Sequence, residues 1–280
     1  MDTNTYMLSN MKVDVKRIEE IIRKASTIMI ERDFNVEYKD GFENIVTSSD
    51  LAVQQFLCKN LAAVIPDSGF LCEENNAIDT KDKRYVWIID PIDGTTNYSR
   101  NISEFCISVA LAYNNEVVLG VVYNPVKDEM FIAEKGNGAT LNGRRIGVSH
   151  RRFEEGIMCT AMSLYNKQYA KQCSDIIYDV YMQSNDVRRF GSCALELCYL
   201  AMGLCELYFE YRVMPWDYAA AYLILTEAGG VLTEYNGEPL TLDRPAMLIG
   251  ANNEENHSKL KTFITNRINP NDCSYEWRKW

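Results

Sequence analysis

Apolar residues near the start of the chain recur at helical spacing: Val15, Ile18, Ile21, Ile22, Ala25 and Met29 fall three and four positions apart. That period lines one face of an amphipathic helix of about five turns, a face expected to cover a sheet. A second helical pattern, Leu51, Phe56, Leu57, Leu61 and Val64, starts just after Asp50, a residue type favoured at helix N-caps, and stops before Pro66. From Tyr85 the period shortens to two. Val86 to Ile89, the alternating Phe105, Ile107, Val109, Leu111 and Tyr113, then Val117 to Tyr123 and Met130 to Ala133 read as strands. Short turns join them at Asn114-Asn115, Asn124 to Asp128, Gly136-Asn137-Gly138 and Asn142-Gly143, the last a type I′ hairpin signal. The first half therefore reads as two helices, both ahead of the first strands, on an antiparallel meander.

Beyond residue 150 strands and helices alternate. The order is Ile157 to Ala161, a helix through Gln168 to Met182, Val187 to Arg189, a helix from Ser192 to Gly203, and Leu207 to Glu210. It continues with a helix from Tyr218 to Ala228, Val231 to Thr233, Met247 to Gly250, and a helix from Glu254 to Ile268. This is α/β texture. No Pro/Gly/Ser-rich linker and no internal repeat separates the halves, so residues 1–150 and 151–268 are expected to share an interface with a cleft between them. Residues 269–280 have no periodicity and read as a disordered tail.

Composition narrows the possible functions. The 280 residues are 47% hydrophobic and 24% charged, an ordinary globular balance. A net charge of -10 disfavours nucleic acid and anionic lipid as partners and points to cation ligands instead. No apolar run reaches the length of a membrane helix, and Met1 to Glu20 lacks the apolar core of a secretion signal, so a cytoplasmic address is expected. Nine cysteines, scattered without C-x-x-C spacing and several inside apolar segments, read as reduced and mostly buried.

The densest polar feature is Asp90-Pro91-Ile92-Asp93-Gly94-Thr95-Thr96-Asn97, directly after the apolar run Val86 to Ile89. The strand is expected to end there, with Pro91 and Gly94 turning the chain so that Asp90, Asp93 and the Ile92 carbonyl converge. Two carboxylates and a carbonyl form a hard-oxygen set suited to Mg²⁺. The amides of Gly94 and Thr95 lie at a short helix start, where phosphate can be cradled. The bland alternative is a turn whose Asp and Thr side chains bond their own backbone. Seven specified positions arise by chance in a chain of this length only on the order of a few times in ten million, which weighs against it.

This segment resembles the signature of the inositol monophosphatase family of Mg²⁺-dependent, lithium-sensitive phosphatases. Val46-Thr47-Ser48-Ser49-Asp50, Glu73-Glu74, Trp216-Asp217-Tyr218-Ala219-Ala220 and Glu227-Ala228-Gly229-Gly230 resemble further segments of that family in the same order. The resemblance spans Val13 to Glu255. It implies a layered αβαβα sandwich and hydrolysis of a small polyol, sugar or inositol monophosphate. It further implies that Glu73, Asp90, the Ile92 carbonyl, Asp93 and Asp217 hold two or three Mg²⁺ ions. Thr95, assisted by Asp50 with Glu73 nearby, would orient the attacking water. Asp93, Gly94, Thr95 and Asp217 would also meet the substrate, with Ser192, Cys193 and Glu210 on its alcohol side. Lys39 would lie near the metals, and a homodimer is expected.

Each match has a plainer reading beside it. Asp50 and Asp217 are suited to cap the helices that follow them, Glu73 and Glu74 resemble solvated loop residues, and Glu227 to Gly230 reads as a helix C-terminus and nothing more. Three departures bear on the substrate: Cys72 stands where the family has glycine, Cys193 where it has alanine, and Arg212 adds a cation close to Glu210. Arg212 favours a doubly anionic alternative such as 3′-phosphoadenosine 5′-phosphate, fructose 1,6-bisphosphate or histidinol phosphate. The alternative from another class is a metal-binding interaction protein with incidental turnover.

Overall fold

In the computed structural model, which describes residues 6–8, 11–30, 36–38, 45–74, 78–162 and 167–268, the two sequence periods separate into layers. The chain opens with β1 (Tyr6–Leu8), β2 (Met11–Val13), α1 (Val15–Ile30), β3 (Val36–Tyr38), β4 (Ile45–Thr47) and α2 (Ser48–Ala62). Next come β5 (Gly69–Cys72), β6 (Ile78–Asp79), β7 (Tyr85–Asp93) and the short α3 (Thr95–Ser99). A meander follows: β8 (Cys106–Tyr113), β9 (Glu116–Asn124), β10 (Glu129–Glu134), β11 (Ala139–Leu141) and β12 (Arg144–Arg145). The remainder is β13 (Ile157–Ala161), α4 (Ala170–Tyr181), β14 (Asp186–Arg188), α5 (Cys193–Ala201) and β15 (Leu207–Val213), then α6 (Pro215–Glu227), β16 (Val231–Glu234), β17 (Ala246–Ala251) and α7 (Glu254–Thr265).

An eight-stranded sheet runs β12-β11-β10-β9-β8-β7-β5-β6, and a five-stranded sheet runs β14-β13-β15-β17-β16. Alternation along β7 sends Trp87 and Ile89 to one face of the larger sheet, where the apolar stripe of α1 and Val53, Leu57 and Leu61 of α2 cover them. Val86 and Ile88 point to the other face, into a core shared with α5, α6 and Tyr208, Leu232 and Leu248 of the smaller sheet. Every residue of α5 is buried, as an apolar helix between two sheets requires. On the far face of the smaller sheet, Ile176 and Val180 of α4 and Leu260 and Ile264 of α7 pack on Phe209, Met247 and Ile249. The layers run α, β, α, β, α, and the fold is the expected sandwich. Among the described residues no helix is long and apolar enough to cross a membrane.

The structure corrects the sequence reading at several places. Strands do precede and separate the first two helices, because β1 pairs with β2 and β3 with β4; three residues are too few to display a period of two. The larger sheet is not wholly an antiparallel meander, since β5 lies parallel to β7 while β6 forms its edge. Nor does β7 end at Ile89: it runs through Asp93, and its register with β8 shifts between Asp90 and Asp93. Pro91, which has no N–H to give to a ladder, sits inside that irregularity. The turn falls to Gly94 alone, at φ +93°, where a Cβ would stand 2.8 Å from the Glu104 carbonyl oxygen.

Helices α2 and α6 both begin earlier than expected. Thr47 and Met214 are the N-cap residues, and Asp50 and Asp217 occupy the third helical position, from which each carboxylate reaches back to the cap. Glu227 is more than a helix end: its carboxylate oxygens each accept a 2.6 Å hydrogen bond, from the Gly136 and Gly138 amides of the β10–β11 turn. Lys39 and the tail 269–280 lie outside the described residues.

Candidate active site

Parallel pairing of β5 with β7 sets Cys72 opposite Ile89, and the Glu73 amide donates to the Ile89 carbonyl at 3.2 Å. This places Glu73 beside Asp90. Asp90 accepts a 2.9 Å bond from the Ile92 amide, so the self-bonded turn is present, but within the site rather than instead of it. Asp93 crosses to the second half of the chain: its Oδ2 accepts from Ser192 Oγ at 2.6 Å and from the Ala194 amide at 2.7 Å, at the start of α5. Asp217 Oδ2 accepts from the Met214 amide at 2.7 Å. Glu73, Asp90, Ile92, Asp93 and Asp217 line one cavity of about 340 Å³. Gly94, Thr95, Ser192, Cys193, Glu210 and Arg212 line it as well.

Burial, and after it the crowding of like charges, dominates the electrostatics. Burial, then the charges of Glu73, Asp93 and Asp217, push the Asp90 carboxyl well above the usual range. Burial and the charges of Asp93 and Glu73 do the same to Asp217. Asp93 is pushed up to about 6 by burial, against the lowering effect of its bonds from Ser192 and Ala194. Such a cluster is relieved by protons or by a cation. The chemistry of the donors fits a hard divalent ion, because carboxylate and carbonyl oxygens alone make up the set. Among the described residues no three acidic, His or Cys side chains are gathered closely enough to form a ready-made ligand cluster.

Asp50 does not line the cavity but supports a residue that does. Its Oδ2 accepts from the Thr47 amide at 2.8 Å and from Thr47 Oγ1 at 2.5 Å, while Oδ1 stands 3.5 Å from Thr95 Oγ1. The Thr95 hydroxyl also lies 2.9 Å from the Ile92 carbonyl oxygen, its better-placed acceptor. Ser192, which lines the cavity, is 2% exposed and donates its hydroxyl to Asp93, so it positions that carboxylate. Cys193 is buried, as is Glu74, whose backbone bonds both ends of the Gln54 amide.

Around Glu210 the structure adds a cation that the sequence reading had not singled out, Arg189. Tyr208 donates to Glu210 at 2.5 Å, and burial pushes the Glu210 carboxyl up to about 7. The charge of Arg189 lowers the Glu210 carboxyl against that burial, and Arg189 and Arg212 both line the cavity. Sequence reasoning also missed Glu196 and gave Asn97, the last residue of the Asp90 to Asn97 segment, no role of its own. Glu196 accepts from the Phe190 and Gly191 amides at 2.5 and 2.9 Å and is pushed up to about 8, mainly by burial. The Asn97 amide donates to the Glu104 and Phe190 carbonyls and so ties the two halves together. Glu196 had a signal, being the one charge in the apolar run Cys193 to Ala201.

The model of the inositol monophosphatase family matches residues 7–267. The chain is 36% identical over 198 residues to Nus factor SuhB of Vibrio cholerae, covering 70% of this chain and 74% of that protein. The crystal structure of extragenic suppressor protein suhB from Bartonella henselae superposes with a TM-score of 0.84 at 31% identity, over 91% of this chain and 99% of that one. The Thermotoga maritima IMPase gives a TM-score of 0.79 at 32% identity, over 88% of this chain and 94% of that one. With the family's segments found in order and its fold reproduced, this chain belongs to the inositol monophosphatase family.

Proposed function

We propose that this chain is a Mg²⁺-dependent phosphomonoesterase acting on a small polyol, sugar or inositol monophosphate. Family membership supports a phosphatase of this type. The observation that carries the reading is the meeting of Glu73, Asp90, Asp93 and Asp217 in one cavity with the Thr95 hydroxyl. Glu73, Asp90, Asp93, Asp217 and the Ile92 carbonyl would hold the Mg²⁺, which when bound lowers the pKa of water and neutralises charge on phosphate. Thr95, held by the Ile92 carbonyl and Asp50, orients the attacking water for in-line displacement. Gly94, whose φ of +93° and close approach to the Glu104 carbonyl oxygen leave no room for a Cβ, makes the turn whose backbone amides would meet the phosphate oxygens. Glu210 accepts hydrogen bonds from hydroxyls of the leaving alcohol, with Tyr208 fixing its orientation.

Two arginines in the same cavity, Arg189 and Arg212, favour a second reading in which the substrate carries another anionic group. The name Nus factor borne by the SuhB relatives favours a third, an interaction role. The experiment is phosphate release from a panel of sugar, inositol and nucleotide monophosphates and bisphosphates, with Mg²⁺, with excess EDTA and with lithium. Release that needs Mg²⁺ and falls with lithium supports the proposal; undiminished release in EDTA overturns the metal assignment. No release from any substrate leaves the interaction reading in its place.

A further inference from the structure

Cys72, the residue that departs from the family at the position before Glu73, has a neighbour that its sequence spacing does not reveal. Its Sγ lies 3.6 Å from Sγ of Cys58, fourteen residues earlier on α2. Among the described cysteines Cys58 alone is not fully buried; Cys72 is. A disulfide needs the sulfurs only about 1.6 Å closer, at a bond length near 2.05 Å. The surroundings tie this pair to the cavity. Asp50, Gln54 and Cys58 are four residues apart and so share one face of α2. Successive turns of that face touch Thr95, the Glu74 backbone and Cys72. Cys72 in turn is bonded directly to Glu73, whose side chain lines the cavity.

We propose that Cys58 and Cys72 form a redox couple, closed to a disulfide by a low-molecular-weight disulfide such as oxidised glutathione, and that closure displaces Glu73 and slows turnover. Cys58, the accessible sulfur, attacks one sulfur of the oxidant to give a mixed disulfide and one reduced glutathione. Cys72 then attacks Sγ of Cys58, the mixed bond breaks, and a second glutathione leaves. Two thiol protons pass to the two departing thiolates, and two electrons reduce the oxidant. The bond fastens α2 to the end of β5. It shifts the Glu73–Glu74 backbone against the Gln54 bonds that otherwise fix it. A displacement on the ångström scale at a metal-holding carboxylate is enough to lower turnover by roughly ten- to a hundredfold.

The thiol chemistry stands apart from the proposed reaction, whereas its effect on turnover rests on it, so two readouts are needed. The reduced full chain is incubated with oxidised glutathione, its remaining thiols are alkylated, and the digest is mapped by mass spectrometry beside a Mg²⁺-supported phosphate-release assay. The expected result is a peptide joining Cys58 to Cys72, lighter by two hydrogen atoms, together with a drop of about tenfold or more that dithiothreitol reverses. Cys58→Ser should keep the reduced rate and lose the response. Separate glutathione adducts without the linked peptide overturn the proposal, as does a linked form of unchanged rate or an equal drop in Cys58→Ser. A reduced chain with no phosphatase activity would count against the functional reading, while the peptide map still decides whether the thiols couple.

Discussion

Asp93 and Glu210 line the same cavity, yet they are anchored in different ways. Asp93 is fastened by a backbone amide and a buried serine at the start of a helix some hundred residues away, and Asp90 and Asp217 likewise each take a main-chain amide. Glu210 is held by the hydroxyl of Tyr208 on its own strand and faces the long, flexible Arg189. The acidic set is therefore placed by the fold itself, which suits the proposed role of presenting fixed charge to a metal and a reacting phosphate. The set around Glu210 is placed by side chains, whose replacement leaves the backbone as it is. Changes in the first set should abolish turnover, and changes in the second should alter which alcohol is released.

The sharpest way to break this contrast is Asp93→Asn. The substitution keeps volume and an acceptor for Ser192 and Ala194 but removes the charge, so turnover should fall by roughly 10² to 10³-fold. The thermal midpoint should move by only a few degrees. Phosphate release and a melt followed by circular dichroism test both; near-normal turnover would return the Asp90 to Asn97 segment to a mere turn.

Glu210→Gln comes next. It should lower kcat/KM for polyol or sugar monophosphates by about tenfold, equivalent to about 1.4 kcal/mol, because a charged acceptor for hydroxyls becomes a neutral one. An equal loss on a monophosphate whose alcohol lacks further hydroxyls would show that Glu210 serves the reaction rather than the substrate's alcohol.

The contrast also explains what was legible in the sequence. Asp90 to Thr95 is contiguous and punctuated by Pro91 and Gly94, so its gathering at one cavity could be read from the chain. Asp50 and Asp217 stood out as helix-start residues, and only their position within the capping turn was misjudged, since a carboxylate at the third position is also favoured there, reaching back to the amide of the cap residue. Arg189 was hidden because it closes a short strand segment, Val187 to Arg189, and nothing local says that the next loop folds back over the cavity. Cys58 and Cys72 were hidden because a fourteen-residue separation carries no signal until β5 is seen to pack beside α2. Layer order was readable from period alone, whereas parallel pairing of β5 with β7 was not, as a four-residue strand fixes neither partner nor direction.

A smaller effect concerns stability without metal. The folded state holds Asp93 at about 6 and Glu210 at about 7, both above their ordinary values of 3.8 and 4.5. Between those limits the folded chain binds protons that the unfolded chain has released, so stability falls as pH rises through the window. In EDTA the thermal midpoint should drop by about 5–10 °C from pH 5.5 to 7.5, and Mg²⁺ should flatten the slope by binding the folded state alone. A midpoint that is constant or rising in EDTA would show that these carboxylates are not held above their ordinary range.

The smallest effect expected is that of Arg212→Ala, and it sharpens the contrast within the second set. Arg212 stands two residues after Glu210 on β15, which puts both on one side of the strand, and both line the cavity. It is nevertheless Arg189 whose charge lowers the Glu210 carboxyl. For a substrate with a single phosphate, already met by the acidic set and its cations, the Arg212 guanidinium has no second anion to engage. KM should then change by less than about threefold, below 0.7 kcal/mol. Arg189→Ala should exceed that change by freeing Glu210 to protonate at neutral pH, which weakens it as an acceptor. A substrate with a second phosphate reverses the order. A bidentate guanidinium contact is worth about 1.5 to 3 kcal/mol, so Arg212→Ala would raise KM about ten- to a hundredfold for that substrate alone. Measuring KM for both variants on one monophosphate and one bisphosphate separates the cases, and a large effect confined to the bisphosphate would move the doubly anionic substrate to first place.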